Sequence, residues 1–142
     1  MLKGLPSLLS PDLLKVLREM GHGDEIVLAD SNFPAASHAA RLVRADGVDG
    51  ASLLDAILQV LPLDRFVERP AVLMAVVAGD RYRPTIWPRY KALLRKHETA
   101  FADFELMERH AFYDRARRAY AIVATGETAR YANLILKKGV IG

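Results

Sequence analysis

The chain has 142 residues, of which 51% are hydrophobic and 26% are charged, and its formal net charge at pH 7 is +3. This length and composition predict one domain over residues 1–142 with a sizeable apolar core, and they exclude a disordered chain. The sequence holds no cysteine, which excludes disulfides and thiolate chemistry. No apolar run approaches the roughly 18 residues of a membrane span, so we expect a cytoplasmic protein without a membrane partner.

Helical and strand patterns alternate along the chain. Ser10 and Pro11 are typical of a helix N-cap and first turn, and Gly21 ends that helix. A strand is predicted over 25–29, and Pro34 with the small residues after it predicts a loop or short turn. The later elements, in chain order, are a short strand over 41–44, a helix over 52–61, a strand over 71–78, a helix over 85–97, a strand over 104–107, a helix over 112–119, a strand over 120–124 and a last element over 130–136. This alternation predicts an α/β layered domain.

Two kinds of partner are not expected from the sequence. The densest basic stretch, 115–118, lies in a helical pattern without interleaved aromatic residues, which favours a solvated helix face over nucleic-acid binding. The four histidines form no pair at metal-ligand spacing, so no metal site is predicted. No glycine-rich phosphate loop and no nucleophilic serine motif is present either.

A histidine lies between two glycines just after the first predicted helix. Gly21 and Gly23 flank His22, which places the imidazole on a sharp turn that a ligand can approach closely. Histidine exchanges protons near neutral pH, and this suits a proton shuttle. An ordinary surface histidine is the alternative interpretation.

A carboxylate and a carboxamide follow the strand predicted at 25–29. Asp30 lies at the carboxyl end of that strand, where open α/β sheets bind ligands, and Asn32 follows two residues later. Such a pair suits the recognition of polyhydroxylated ligands, although a strand-end aspartate and a turn asparagine remain the alternative. Because His22 and Asp30 flank one strand, only a bend or a neighbouring chain can bring them together.

Further candidate residues lie in the second half of the chain. Tyr131 and Asn133 are two residues apart, so on a strand they would share one face and form a binding surface, or else an exposed edge. Arg109 and Tyr113 lie where a predicted strand meets a helix, and Arg109 could equally extend into solvent. Asp64, after Pro62, is by default a turn residue.

The sequence resembles the family of fucose mutarotases and ribose pyranases, which are sugar-anomer isomerases, and in particular its fucose branch. The resemblance covers essentially the whole chain. The motifs that carry it lie at 2–4, 9–14, 20–26, 32–34, 44–47, 61–64, 108–109, 112–116, 126–127, 131–133 and 136–140. The chain departs from the family pattern at Ala132, where many relatives have glycine, and at His110, where phenylalanine is frequent.

The resemblance implies a central sheet flanked by helices and an isomerase that interconverts the anomers of L-fucose without a cofactor. His22 matches the family's acid/base, and the positions that match substrate contacts are Asp30, Asp64, Arg109, Tyr113, Tyr131 and Asn133. It also implies a homo-oligomer in the form of a decameric ring, with each site built across a subunit boundary. A ribose pyranase and a non-catalytic sugar-binding protein are the alternatives.

Overall fold

The structure, a computed structural model, describes all residues 1–142. The five helices are α1 (Pro11–Glu19), α2 (Ala35–His38), α3 (Gly50–Leu58), α4 (Ile86–His97) and α5 (Arg109–Arg118). The six strands are β1 (Glu25–Ala29), β2 (Leu42–Ala45), β3 (Ala71–Met74), β4 (Glu105–Met107), β5 (Ala121–Thr125) and β6 (Leu134–Lys137). The predicted α/β class is confirmed. None of the helices is long and apolar enough to cross a membrane.

All six strands form one mixed sheet in the order β2-β5-β1-β6-β3-β4. Only β6 runs antiparallel to its neighbours β1 and β3, whereas every other pairing is parallel. Five strands therefore end at the same edge of the sheet, and β6 begins there. We call this the carboxyl edge, marked by Asp30 and Asn133, and we call the opposite edge, marked by His22 and Lys138, the amino edge.

Helices cover both faces of the sheet, which confirms the layered arrangement that the family resemblance implies. Ile26 and Leu28 of β1 pack with residues of α1, α3 and α4, whereas Val27 and Ala29 pack with residues of α2 and α5. This division follows from the alternation of side chains along a strand. The central strands are buried on both faces, as is typical of such sheets.

Two element boundaries differ from the sequence predictions because of local hydrogen bonding. The strand predicted over 71–78 ends at Met74 because its neighbour β4 is short, and the last hydrogen bond between them runs from the Ala75 amide to the Met107 carbonyl (2.7 Å). The helix predicted from residue 112 begins at Arg109. The Glu108 carboxylate caps it by accepting hydrogen bonds from the amides of His110 and Ala111.

Most of the other boundaries shift by one to four residues, whereas β1 spans the residues predicted for it. The helix predicted over 52–61 covers Gly50–Leu58 because the Asp49 side chain caps it through the Ser52 amide (2.8 Å). The loop or turn predicted after Pro34 contains the single-turn helix α2. The last strand begins at Leu134 rather than residue 130, and this difference changes how the candidate site is built.

Candidate active site

The turn that carries His22 is tied to the end of β6. The Gly23 amide donates to the Lys138 carbonyl and the Lys138 amide donates to the Asp24 carbonyl, each at 2.8 Å. Gly23 has a φ of +86°, a left-handed conformation that glycine adopts without strain. The Lys138 ammonium also donates to the carbonyls of Leu17 and Met20 at the end of α1. The turn that carries the imidazole is therefore fixed by Lys138, through its backbone and through its ammonium group at the end of α1.

The loop that carries Asp64 is tied to the same end of β6. The Asp64 amide donates to the Lys137 carbonyl (3.0 Å), and the Gly139 amide donates to the Pro62 carbonyl (2.8 Å). The two segments approach so closely that a Cβ at Gly139 would lie 2.3 Å from the Leu63 carbonyl oxygen. Since both loops are fixed to one strand end, His22 Nε2 and Asp64 Oδ1 lie 3.2 Å apart.

The environment of Asp64 determines which imidazole nitrogen carries the proton. Burial of Asp64 would raise its pKa, but hydrogen bonds from the Phe66 amide and from His22 outweigh this effect, so the pKa lies below its ordinary value. The carboxylate is therefore ionised at neutral pH and accepts a hydrogen bond from Nε2–H. This assigns the lone pair of the neutral ring to Nδ1, on a side chain that is 45% exposed.

A second group of candidate residues lies at the carboxyl edge around Asp30. The Asp30 amide donates to Asn133 Oδ1 (2.7 Å), and Asp30 Oδ1 accepts from the Asn32 amide (3.0 Å). Burial raises the pKa of Asp30, and hydrogen bonds to its carboxylate, chiefly from the Asn32 and Phe33 amides, only partly offset the effect. Together with Tyr113 and Tyr131, these residues line a cavity of about 240 Å³. The cavity offers a carboxylate, two carboxamides and two phenols to a ligand.

Tyr131 and Asn133 line this cavity, but the backbone conformation of residues 131–133 differs from the strand that the sequence predicted. Tyr131 has a φ of +58°, so it does not lie on a strand, and the prediction that Tyr131 and Asn133 share one strand face is wrong. Instead, two aromatic side chains of α4 hold this segment. Trp87 Nε1 donates to the Tyr131 carbonyl (2.8 Å), and the Tyr90 hydroxyl donates to the Ala132 carbonyl (2.9 Å). These hydrogen bonds fix an unusual backbone conformation beside the cavity.

The remaining candidates lie on or near helix α5. Tyr113 lines the cavity, and its ring centroid is 5.3 Å from that of Phe33. Arg109, one turn earlier on α5, is exposed at the same edge but does not line the cavity. His110, one of the two positions where the chain departs from the family pattern, is also exposed. The departure at Ala132 lies in the apolar core, 1% exposed, so its methyl group does not narrow the cavity.

One chain does not bring the two groups of residues together. His22 precedes β1 and Asp30 follows it, and five strand residues span about 16 Å. Within the chain, Asp30 therefore does not orient His22, and the side chain that contacts the imidazole is Asp64. No group of three or more His, Cys, Asp or Glu side chains is placed to hold a metal ion.

Sequence reasoning missed several residues that build the site. Trp87, Tyr90 and Lys138 act through hydrogen bonds to carbonyl groups more than 40 residues away along the chain. No local pattern signals such contacts. The pairing of Asp64 with His22, 42 residues apart, also depends on the tertiary fold.

The fold and its side chains define an α/β protein with an imidazole–carboxylate pair at one sheet edge and a cavity lined by hydrogen-bonding side chains at the other. A family model described as the RbsD / FucU transport protein family matches residues 3–141. The chain therefore belongs to the RbsD/FucU family, as the sequence resemblance indicated.

Several relatives match along almost their whole length. The chain is 50% identical over 140 residues to an L-fucose mutarotase of Actinobacillus pleuropneumoniae serotype 5b (strain L20), which covers 99% of this chain and 97% of the relative. It is 51% identical over 146 residues to the fucose mutarotase of Homo sapiens, with 99% and 94% covered. The crystal structure of the fucose mutarotase from Streptococcus pneumoniae in complex with L-fucose is 53% identical with a TM-score of 0.95, over 99% of this chain and 100% of that one.

Proposed function

We propose that this chain is an L-fucose mutarotase, an isomerase that interconverts the α- and β-anomers of L-fucose without a cofactor. The observation that carries the proposal is the full-length likeness, at 53% identity, to a fucose mutarotase crystallised with L-fucose. The His22–Asp64 pair and the polar cavity around Asp30, both carried by this fold, support the proposal. We propose that the chain acts as one domain over residues 1–142.

Mutarotation requires one proton to leave the anomeric hydroxyl while another reaches the ring oxygen. The C–O bond of the ring then breaks, the open aldehyde rotates, and the ring closes again. His22 takes the proton of the anomeric hydroxyl on Nδ1 and passes it to the ring oxygen as the ring C–O bond breaks. In ring closure it moves a proton from the hydroxyl so formed back to the aldehyde oxygen, so that one residue serves both directions. Asp64 holds the other nitrogen, Nε2, in its protonated form and stabilises the imidazolium that forms.

The sugar itself is held by the residues of the carboxyl edge. Asp30, Tyr131 and Asn133 contact the sugar hydroxyls, with Tyr113 in the cavity and Arg109 beside it. Asp64, which matches a substrate-contact position of the family, is 4% exposed and bound to His22, so we assign it to orienting the imidazole.

Each complete site takes its imidazole from one copy of the chain and its sugar-binding residues from another. The length of β1 supports this arrangement, because its span of about 16 Å exceeds the size of one sugar ring. The surroundings of His22 support it as well. His22 opens onto a groove of about 670 Å³ lined by apolar side chains such as Leu14 and Val60 and by Ile141, which is 86% exposed. An apolar surface of this kind is typical of a subunit contact.

A contact between two different edges repeats from copy to copy and closes into a ring when the rotation permits. We propose a homo-oligomer of this type, and the decameric ring stays a prediction that a measurement of mass in solution would test. A mass near that of ten chains is expected. A cytoplasmic location likewise stays a prediction, to be tested by fractionation of the host cells.

The test is the rate of anomer exchange of L-fucose, measured by saturation-transfer NMR with and without the protein. Replacement of His22 by alanine should lower the catalysed rate by about 10²–10⁴-fold, the range typical of a positioned acid/base. His97→Ala is the matched control, since His97 also forms a histidine–aspartate pair, with Asp55 at 2.7 Å, but lines neither the groove at His22 nor the cavity at Asp30.

The sugar used in the assay separates the remaining alternatives. Faster exchange of ribose forms than of fucose anomers would indicate a ribose pyranase. Binding of fucose without faster exchange would indicate a sugar-binding protein without catalysis. An unchanged exchange rate for both sugars with the intact chain would contradict the proposal.

A further inference from the structure

The loop after β3 supplies a carboxylate to the cavity residue Tyr131. The Tyr131 hydroxyl donates a hydrogen bond to Asp80 Oδ2 at 2.7 Å. Its oxygen in turn accepts a hydrogen bond from the Val77 amide at 3.3 Å. The phenol is thus held between two residues of one loop.

Asp80 is itself fixed by three neighbours. Asp80 Oδ1 accepts from the Tyr82 amide (2.9 Å), and Asp80 Oδ2 pairs with the Arg130 guanidinium (2.7 Å). The Arg130 guanidinium lies 4.4 Å from the centre of the Tyr82 ring, and the rings of Tyr82 and Tyr131 stack at 6.0 Å with an interplanar angle of 26°. The phenol of Tyr131, the Tyr82 amide and Arg130 together lower the pKa of Asp80 below its ordinary value. An ionised carboxylate can only accept hydrogen bonds, so the direction of the phenol proton is determined.

We propose that Asp80 is a positioning residue for sugar binding, which fixes the Tyr131 hydroxyl so that its oxygen accepts a hydrogen bond from the sugar. The inference rests on the proposed function, in which Tyr131 contacts the sugar. The phenol proton is committed to Asp80 and one lone pair of the oxygen to the Val77 amide, so Tyr131 offers the sugar its remaining lone pair and no proton. Asp80 thereby selects a ligand that presents a hydroxyl donor to Tyr131 in the cavity.

The position of Asp80 is consistent with this role. Asp80 does not line the cavity and is joined to it through the Tyr131 hydroxyl, so it touches neither the sugar nor the imidazole that another copy supplies. Loss of Asp80 should therefore weaken the binding of fucose and leave kcat, the rate at which the bound sugar reacts, almost unchanged. A general structural defect would lower both the affinity for fucose and kcat.

The experiment is a double-mutant cycle on the intact oligomer, with KM and kcat obtained from anomer exchange at increasing L-fucose concentrations. Asp80→Asn should raise KM about fivefold and Tyr131→Phe about tenfold, with kcat within about twofold in both. In the double variant KM should rise no further than in Tyr131→Phe alone, because Asp80 acts through the phenol. If the two residues acted independently, their effects would multiply and KM would rise about fiftyfold.

Two further variants make the result specific. Asp80→Glu restores the carboxylate and should recover part of the lost affinity. Asp103→Asn is the matched control, since Asp103 also binds a backbone amide, that of Phe104 at 2.8 Å, and a lysine, but precedes β4 at the opposite edge. It should leave KM and kcat unchanged.

The outcomes separate this inference from the proposed function. If the wild-type chain accelerates fucose exchange but Asp80→Asn leaves KM unchanged, or if the two substitutions multiply, the positioning role is overturned while the mutarotase assignment stands. If the wild-type chain does not accelerate exchange, both are overturned. A rise in KM that is absent in the Tyr131→Phe background supports the inference.

Discussion

The division of the candidate site between two copies of the chain can be tested by mixing two inactive variants. One variant, His22→Ala, lacks the imidazole, and the other, Asp30→Asn, lacks the cavity carboxylate. Because these residues lie at opposite ends of the five-residue strand β1, about 16 Å long, each variant keeps intact the half that the other has lost. Each alone should retain only a small part of the wild-type exchange rate.

The expected magnitude follows from counting subunit contacts. When equal amounts of the two variants assemble at random, a site is intact only if its imidazole comes from an Asp30→Asn copy and its carboxylate from a His22→Ala copy. Each condition is met in half of the contacts, so about one quarter of the sites should be active. The variants are coexpressed, the mixed oligomer is purified, and fucose anomer exchange is measured by saturation-transfer NMR.

A second mixture tests the same prediction with both substitutions carried by one chain. Wild-type chains are coexpressed with chains that carry both substitutions. A shared site predicts about one quarter of the wild-type rate, whereas a site built within one chain predicts about one half. Activity of the first mixture no higher than the mean of its two components, together with one half in the second, would refute the shared site.

Two further predictions concern the carboxylates at the two edges. Asp64→Asn can turn an amide N–H toward Nε2, which would move the imidazole proton to Nδ1, so kcat should fall about 10²-fold with KM nearly constant; an unchanged kcat would contradict the assigned tautomer. Asp30→Asn should raise the melting temperature at pH 7 but weaken fucose binding. Burial raises the pKa of Asp30, so its ionised form destabilises the fold above that pKa, and the penalty disappears as the pH falls through it. The difference in melting temperature should therefore shrink near pH 4, and a difference that is constant with pH would argue against this explanation.

Sequence patterns predicted well those features of the fold that depend on neighbouring residues. The apolar run of β1 predicted both of its boundaries, and the N-cap at Ser10 predicted where α1 begins. The placement of Asp30 at the carboxyl end of a strand followed directly from β1. The glycines around His22 indicated a sharp turn, and Gly23 does adopt a positive φ.

The parts of the site that depend on distant contacts were not predicted. Spacing alone placed Tyr131 and Asn133 on a strand, but hydrogen bonds from Trp87 and Tyr90 hold the backbone in another conformation. Tyrosine at a φ of +58° is sterically unfavourable, so no local propensity would have indicated it. A strained backbone of this kind persists only where surrounding contacts determine it, and such places are frequent at binding sites.

The reversed strand β6 explains how one short chain can carry both halves of the proposed shared site. Asn133 immediately precedes its first residue at the carboxyl edge, and residues 137–139 hold the His22 turn and the Asp64 loop at the amino edge. A slip of β6 by one residue would turn its side chains to the opposite faces and displace both halves at once. Gly139 opposes such a slip, because any other residue brought to its place would set a Cβ 2.3 Å from the Leu63 carbonyl oxygen. The register of a single strand thus determines the geometry of the His22–Asp64 pair and of the cavity around Asp30 together.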